Sequence, residues 1–375
     1  MISKEVFGEG GNKEVKVDVV VIGGGPSGSA AAKNCARRGM STLLLEKRML
    51  PRRKICSGMI ISNLSHALIA SEFGVIPNVV LTDPCNLSGY QWHTSDYGDE
   101  RQEIRIINVW RSELDYWMNQ KAREAGAEIW EGARVNVVVQ EDNEIVLAVK
   151  TFERQQKIRT RFVVGADGAV SVTRRSLFPS LNIRYIPVYA ECHSGALDVD
   201  RDYFHIFGSS RRVPTNDWFD VIHKKGCFVI EVNGRVRHPR EAMLRAKEVL
   251  ATRWGFEEKN KSLWTGGTVV AILREALFTG KFVPAKGNIL LVGDAAGVAV
   301  PTEKGSGEGI GTALKSGVIA SAAIIRAADT RQEAAAMYIT QMSPLIETCK
   351  AITADVINLS TVKWAKREKM LNELI

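Results

Sequence analysis

Apolar residues come in short, almost unbroken runs at three places in this chain and alternate with polar residues between them. The first run, Val17–Ile22, passes through Gly23-Gly24-Gly25-Pro26-Ser27-Gly28 into the helix-forming stretch SAAAKNCARR, and a second run, Thr42–Leu45, ends in Glu46. This predicts strand, tight turn, helix and strand. A second region, Val109 to Arg175, opens with the helical stretch SELDYWMNQKAREAG. Short strand-like segments joined by polar turns follow (ARVNVVVQ, EIVLAVKTF, KIRTRFVVGAD) and predict an antiparallel meander. Residues 176–264 hold strand-like pieces (YAECHSGALDV, YFHIFG, FDVIHKK, CFVIEV), one helix (EAMLRAKEVLATRWG) and much of the aromatic content, and read as a mostly antiparallel second domain. From Val269 the first pattern returns. NILLVGDAAG is a buried strand, GEGIGTALKSGVIASAAIIRAA a long helix of small residues, and residues 331–375 are helical.

The turn after the first strand has the spacing Gly23-x-Gly25-x-x-Gly28. Gly23 allows a sharp strand-to-helix turn, Gly25 leaves the backbone open to a pyrophosphate, and Gly28 lets helix and strand pack closely. The helix N-terminus directs free N–H groups and a partial positive charge at the phosphates. Glu46 lies 18 residues beyond Gly28 (46 − 28) and is placed to accept hydrogen bonds from an adenosine ribose. A carboxylate there disfavours a 2′-phosphate, so FAD or NAD fits better than NADP. Two further strands end in acids, at Asp167-Gly168 and at Gly293-Asp294, where a ligand crossing a parallel sheet presents its hydroxyls. The second is followed by the Gly-rich helix start Gly305 to Ile310, whose N–H groups suit the pyrimidine edge of a flavin.

Composition narrows the choices. The 375 residues are 45% hydrophobic, enough for one large or two interleaved domains, and carry a net charge of +8. The basic pairs are scattered and no nucleic-acid motif accompanies them, so nucleic acid is not an expected partner; a solvated surface or attraction to an anionic partner accounts for them. Six cysteines without a C-x-x-C point to neither zinc nor an iron–sulfur cluster, and no metal is expected. Reduced thiols, the lack of an apolar signal-peptide core and the lack of an apolar run of about 18 residues suggest a cytoplasmic protein. The basic, amphipathic C-terminal run VINLSTVKWAKREKMLNELI is the one segment that suggests peripheral membrane or partner contact.

With the three signatures in this order, the chain resembles the p-hydroxybenzoate-hydroxylase-type flavoproteins over roughly residues 17–175 and 269–325. The resemblance implies a mixed α/β fold with a discontinuous Rossmann-like FAD-binding domain (16–80, 106–175, 265–330), an interleaved antiparallel substrate domain (81–105, 176–264), a C-terminal helical segment (331–375) and a flexible tail (1–15). It implies that Gly23, Gly25, Gly28 and Glu46 hold the ADP half of non-covalent FAD, together with Pro26, Ser27 and Lys47 in the same segments. It places Arg111 at the cofactor's centre, Val135 near adenine, and Asp167 and Gly168 beside the cofactor. Gly293 and Asp294 fall at ribityl hydroxyls or pyrophosphate, and Gly307, Gly309 and Ile310 at the isoalloxazine.

One stretch is more specific. In LLLEKRMLPRRKICSGMI, the order Glu46, Pro51, Lys54, Cys56, Gly58 resembles the geranylgeranyl reductase family, as does PTEKGSGEGIGTALKSG. Two features depart from it: about four extra residues at Glu303–Ser306, and a strand Trp218–His223 that lacks the family's proline. The resemblance implies hydride transfer from reduced FAD to a C=C bond of an apolar or isoprenoid substrate. The alternatives are a monooxygenase that hydroxylates an aromatic or amino-acid side chain, on a small molecule or a protein, through a C4a-hydroperoxide, and an electron carrier. Electrons come from transiently bound NAD(P)H or a reduced redox protein, since no second dinucleotide fold is present. Cys56, beside Arg53 and Lys54, is the candidate catalytic residue, as redox group, proton donor or substrate contact. His193, His205 and His223 are candidate general acids, and Trp92, Trp218, Trp264, Tyr203, Phe204 and Phe207 candidate pocket walls.

Overall fold

The computed structural model describes residues 14–94, 98–142, 144–208, 218–233, 238–299, 309–357, 369–371 and 373–374. In chain order its elements are β1 (Val15–Ile22), α1 (Pro26–Arg37), β2 (Thr42–Glu46), β3 (Met59–Ile60), α2 (Asn63–Phe73), β4 (Leu81–Thr94), β5 (Gly98–Val109), α3 (Arg111–Glu124), β6 (Glu128–Glu131), β7 (Arg134–Glu141), β8 (Glu144–Lys150) and β9 (Gln155–Gly165). Then come α4 (Val172–Leu177), β10 (Arg184–Ser194), β11 (Tyr203–Gly208), β12 (Phe219–Lys224), β13 (Cys227–Asn233), α5 (Pro239–Arg253), β14 (Ser262–Ile272), α6 (Arg274–Phe278), β15 (Ala285–Lys286), β16 (Ile289–Leu291), α7 (Ile310–Thr330) and α8 (Ala334–Ile357).

Two sheets result. In the first, β16, β9, β1, β2 and β6 run parallel, with β15 at one edge and the antiparallel β7–β8 meander joined to the first half of β9. The apolar runs are nearly unbroken because both faces are covered. Val19, Val21 and Leu44 face α1 and α7, while Val20, Ile22, Leu43 and Leu45 face the meander through Val135, Val138, Ile145 and Leu147. Helix α7 has the length and hydropathy of a membrane span, and 72% of that stretch is buried inside the protein.

The second sheet has the order β14-β10-β13-β12-β11-β4-β5-β3, antiparallel except where β11 meets β4. Its membership differs from the expected domain boundaries. β14 stays in this sheet to Ile272, β5 stays to Val109, and β3 lies within the first expected segment but pairs with β5. Side chains alternate across this sheet. Phe219, Val221, Phe228 and Ile230 pack under α5 against Ala242, Met243 and Leu250. Ile222, Val229, Phe204 and Ile206 pack on the opposite side with Ile55 and Met59, facing the first sheet.

Candidate functional site

A cavity of about 820 Å³ lies between the two sheets. Its first wall carries the three Gly-rich strand ends: Gly23, Gly25, Pro26, Ser27, Glu46 and Lys47; Asp167 and Gly168; Asp294, Gly309 and Ile310. Val135 lines the end reached by the meander, and Arg111 and Cys56 line the region toward the second sheet. Gly28 and Gly293 are not on the wall. A Cβ on Gly28 would collide with the Gly23 carbonyl, and one on Gly293 would press on Ser27 Oγ at 3.0 Å. Both permit packing behind the wall. Gly307 lies outside the described residues.

Local geometry explains the placement. Gly23 has φ +106°, a left-handed conformation that favours glycine. α1 begins with Pro26 at its first turn and no side chain caps its amides, so they are left to a ligand. Helix α3 steadies this loop, because Asn119 Nδ2 donates to Gly24 O at 2.9 Å. Glu46 accepts from Gly24 N–H and Arg52 Nε, both at 3.0 Å, and from Arg48 N–H at 3.1 Å. Arg52 then reaches Asp115 at 3.2 Å, and Asp115 takes a two-pronged contact from Arg111 at 2.9 and 3.1 Å. Burial opposes the Arg111 charge, but Asp115 and the adjacent Cys56 thiol outweigh it and hold its pKa above the ordinary value. A chain of alternating charge therefore runs from Glu46 to Arg111 and ends beside the Cys56 thiol. Sequence reasoning named Glu46, Arg111 and Cys56 but not Arg52, Asp115 or Asn119, whose only signal was the i, i+4 pairing of Arg111 with Asp115.

Arg174, wholly buried, joins the other two loops. Its Nη1 donates to Ala295 O at 2.9 Å and Asp294 O at 3.3 Å, and its Nη2 to Ala169 O. Burial pulls its pKa below the ordinary value. Arg174→Met would strand three carbonyls. It is expected to lower stability by about 2 kcal/mol and to loosen the cofactor loops, read as a lower melting temperature and a faster loss of bound flavin.

The second wall is formed by Tyr90, Trp92, Val188, Phe204 and Ile206, with Asp220 and Glu231 set among them. These two buried acids face each other on neighbouring strands. Of the anticipated aromatics, Trp92 and Phe204 line the cavity; Trp218, Trp264, Tyr203 and Phe207 do not. The three histidines are displaced from it altogether. His193 and His223 pair with Phe228, and His205 with Val221, on the face under α5. Burial pushes His205 and His223 down to about 4, so both are neutral where a general acid would be needed.

The family described as FAD binding domain matches residues 16–183. Protein CbrA of Escherichia coli is 28% identical over 311 residues, covering 80% of this chain and 81% of that one. The geranylgeranyl diphosphate reductase of Rhodobacter capsulatus is 25% identical over 300 residues, 79% of this chain and 72% of its own. The chain is an FAD-dependent oxidoreductase. In sequence it is similar to geranylgeranyl-reductase-like flavoproteins of the p-hydroxybenzoate-hydroxylase type. The fold agrees: a geranylgeranyl bacteriochlorophyll reductase-like protein from Thermoplasma acidophilum superposes with a TM-score of 0.69 at 18% identity, over 97% of this chain and all of that one.

The residues present fit non-covalent FAD. The space beside Gly25 is open but for Arg52 Nη2, 3.7 Å from where a Cβ would stand. Asp167 Oδ2 is taken by Thr173 N–H at 3.0 Å and its hydroxyl at 3.1 Å, while Oδ1 is buried without a hydrogen-bond partner among the described residues. A buried carboxylate oxygen in that position calls for a ligand hydroxyl or amide.

Proposed function

We propose that this oxidoreductase reduces a C=C bond of an apolar, isoprenoid-type substrate. The observation that carries the reading is the position of Cys56. It stands on the segment that crosses from β2 of the first sheet to β3 of the second, beside Arg111, and faces a wall of Tyr90, Trp92, Phe204 and Ile206. FAD, held by the first wall, supplies the hydride when reduced. The chain's own task is then to hold the substrate chain against the aromatic wall, exclude water, and give a proton to the carbon that does not take the hydride. Cys56 Sγ is the donor this reading assigns to the step, and electrons enter from transient NAD(P)H or a reduced redox protein.

A second reading is favoured by Asp220 and Glu231, which put polar groups in the middle of the apolar wall. They suit a substrate with hydrogen-bond donors, and with it oxygenation of an aromatic or amino-acid side chain. Anaerobic reduction of the holoprotein followed by geranylgeranyl diphosphate distinguishes the two. The first reading expects the flavin to reoxidise without oxygen and the lipid to gain two hydrogens. Reoxidation by oxygen alone, with an oxygenated product, overturns it. Under the first reading Cys56→Ser is expected to cut turnover by about 100-fold with the flavin spectrum unchanged; a wild-type rate removes Cys56 from the chemistry.

A further inference from the structure

The seam between the sheets contains a buried cation. Lys224, the last residue of β12, has no exposed surface. Its Nζ donates to Asn108 Oδ1 at 2.6 Å and Val109 O at 2.9 Å, and lies 4.8 Å from the Trp110 ring centre. Asn108 cannot turn away, because its Nδ2 donates to Pro84 O at 3.0 Å and His223 O at 2.9 Å. A buried ammonium is ordinarily balanced by a carboxylate. Among the described residues no carboxylate pairs with this one, and its attractive charge interactions are with three thiols, Cys56, Cys227 and Cys192.

Of these thiols, Cys56 alone lines the cavity. Its turn is pressed onto the lysine. Gly58 N–H donates to Cys56 Sγ at 3.4 Å, Val109 N–H donates to Gly58 O at 2.9 Å, and a Cβ on Gly58 would stand 3.4 Å from Lys224 Nζ. Arg111 approaches Cys56 as well. Cys227 lies directly opposite Lys224 in the ladder and is hydrogen-bonded to Cys192, so both are fixed away from substrate.

We propose that Lys224 is a positioning residue for Cys56, holding the positive charge that balances the thiolate left when the thiol gives up its proton. This rests on the reading of Cys56 as donor: its S–H bond breaks, a C–H bond forms at one alkene carbon while the other takes the hydride, and solvent later returns a proton to sulfur.

The test is iodoacetamide alkylation of the flavin-loaded protein across a pH series, resolved at the Cys56 peptide by mass spectrometry. Lys224→Met is expected to raise the midpoint of Cys56 alkylation by about one pH unit. Asn108→Asp, which leaves the lysine but gives it a carboxylate, is expected to move the midpoint the same way, so the result does not hang on one variant. Unchanged midpoints in both, with flavin still bound, overturn the proposal. Full-rate turnover by Cys56→Ser would instead overturn the donor role, while a shifted midpoint would still show the charge coupling.

Discussion

Gly25→Ala is expected to give a protein that folds like the wild-type apoprotein but emerges colourless. Gly25 has φ −84° and ψ −180°, an extended backbone that alanine adopts freely. The new methyl would meet only the tip of Arg52, at 3.7 Å, so nothing in the chain itself resists it. What resists it is the cofactor, because the fit of FAD to the α1 N-terminus requires the pyrophosphate to lie against that backbone. Loss of the approach should weaken FAD binding at least about 100-fold, or about 3 kcal/mol. Gly28→Val makes the contrast. Its side chain would be driven into the Gly23 carbonyl, which cannot swing aside, and the strand–helix packing itself should fail. The measurements are the flavin-to-protein absorbance ratio, an FAD titration, and thermal melts against wild type stripped of flavin. A yellow Gly25→Ala protein of normal affinity would mean that the phosphates do not rest on this loop.

The contrast also marks what the chain discloses before it folds. The first sheet was legible because its central strands are buried on both faces where they meet the glycine turns, so Val19–Ile22, Thr42–Leu45 and Ile289–Leu291 appear as largely apolar runs next to glycines with one steric purpose. The second sheet was legible as strands but not as a wall. In β12 every residue from Phe219 to Lys224 is buried, so no polar–apolar alternation tells the face under α5 from the face toward the cavity. Asp220 and His223 are both polar, yet register sends Asp220 to the cavity and His223 away from it. The same register sets Asp220 against Glu231 and Lys224 against Cys227, pairings made by a hairpin and carried by no motif. For a related reason no change of composition marks where the chain passes between the sheets: β14 runs on to Ile272 and β5 to Val109 within the second sheet.

Lys224→Met is expected to remove a large contribution to stability that rises with pH. The folded protein holds this lysine at about 7, against 10.5 for an ordinary lysine, because burial penalises the charged form. Between those values the unfolded chain binds more protons than the folded one, so this group's contribution to stability rises with pH and is lost as pH falls toward 7. That sign is opposite to a lysine in an ion pair. The wild type should therefore gain roughly 4 kcal/mol relative to Lys224→Met from about pH 6 to about pH 10. The variant should be the more stable protein at the acid end, since methionine suits the seam without a buried charge. Cys35, pushed up to about 12 by burial, works in the opposite direction at alkaline pH, but it is common to both proteins and cancels in the difference. Urea melts of the two proteins at matched pH values measure this directly. Parallel stability curves would show that Lys224 keeps one protonation state across this range.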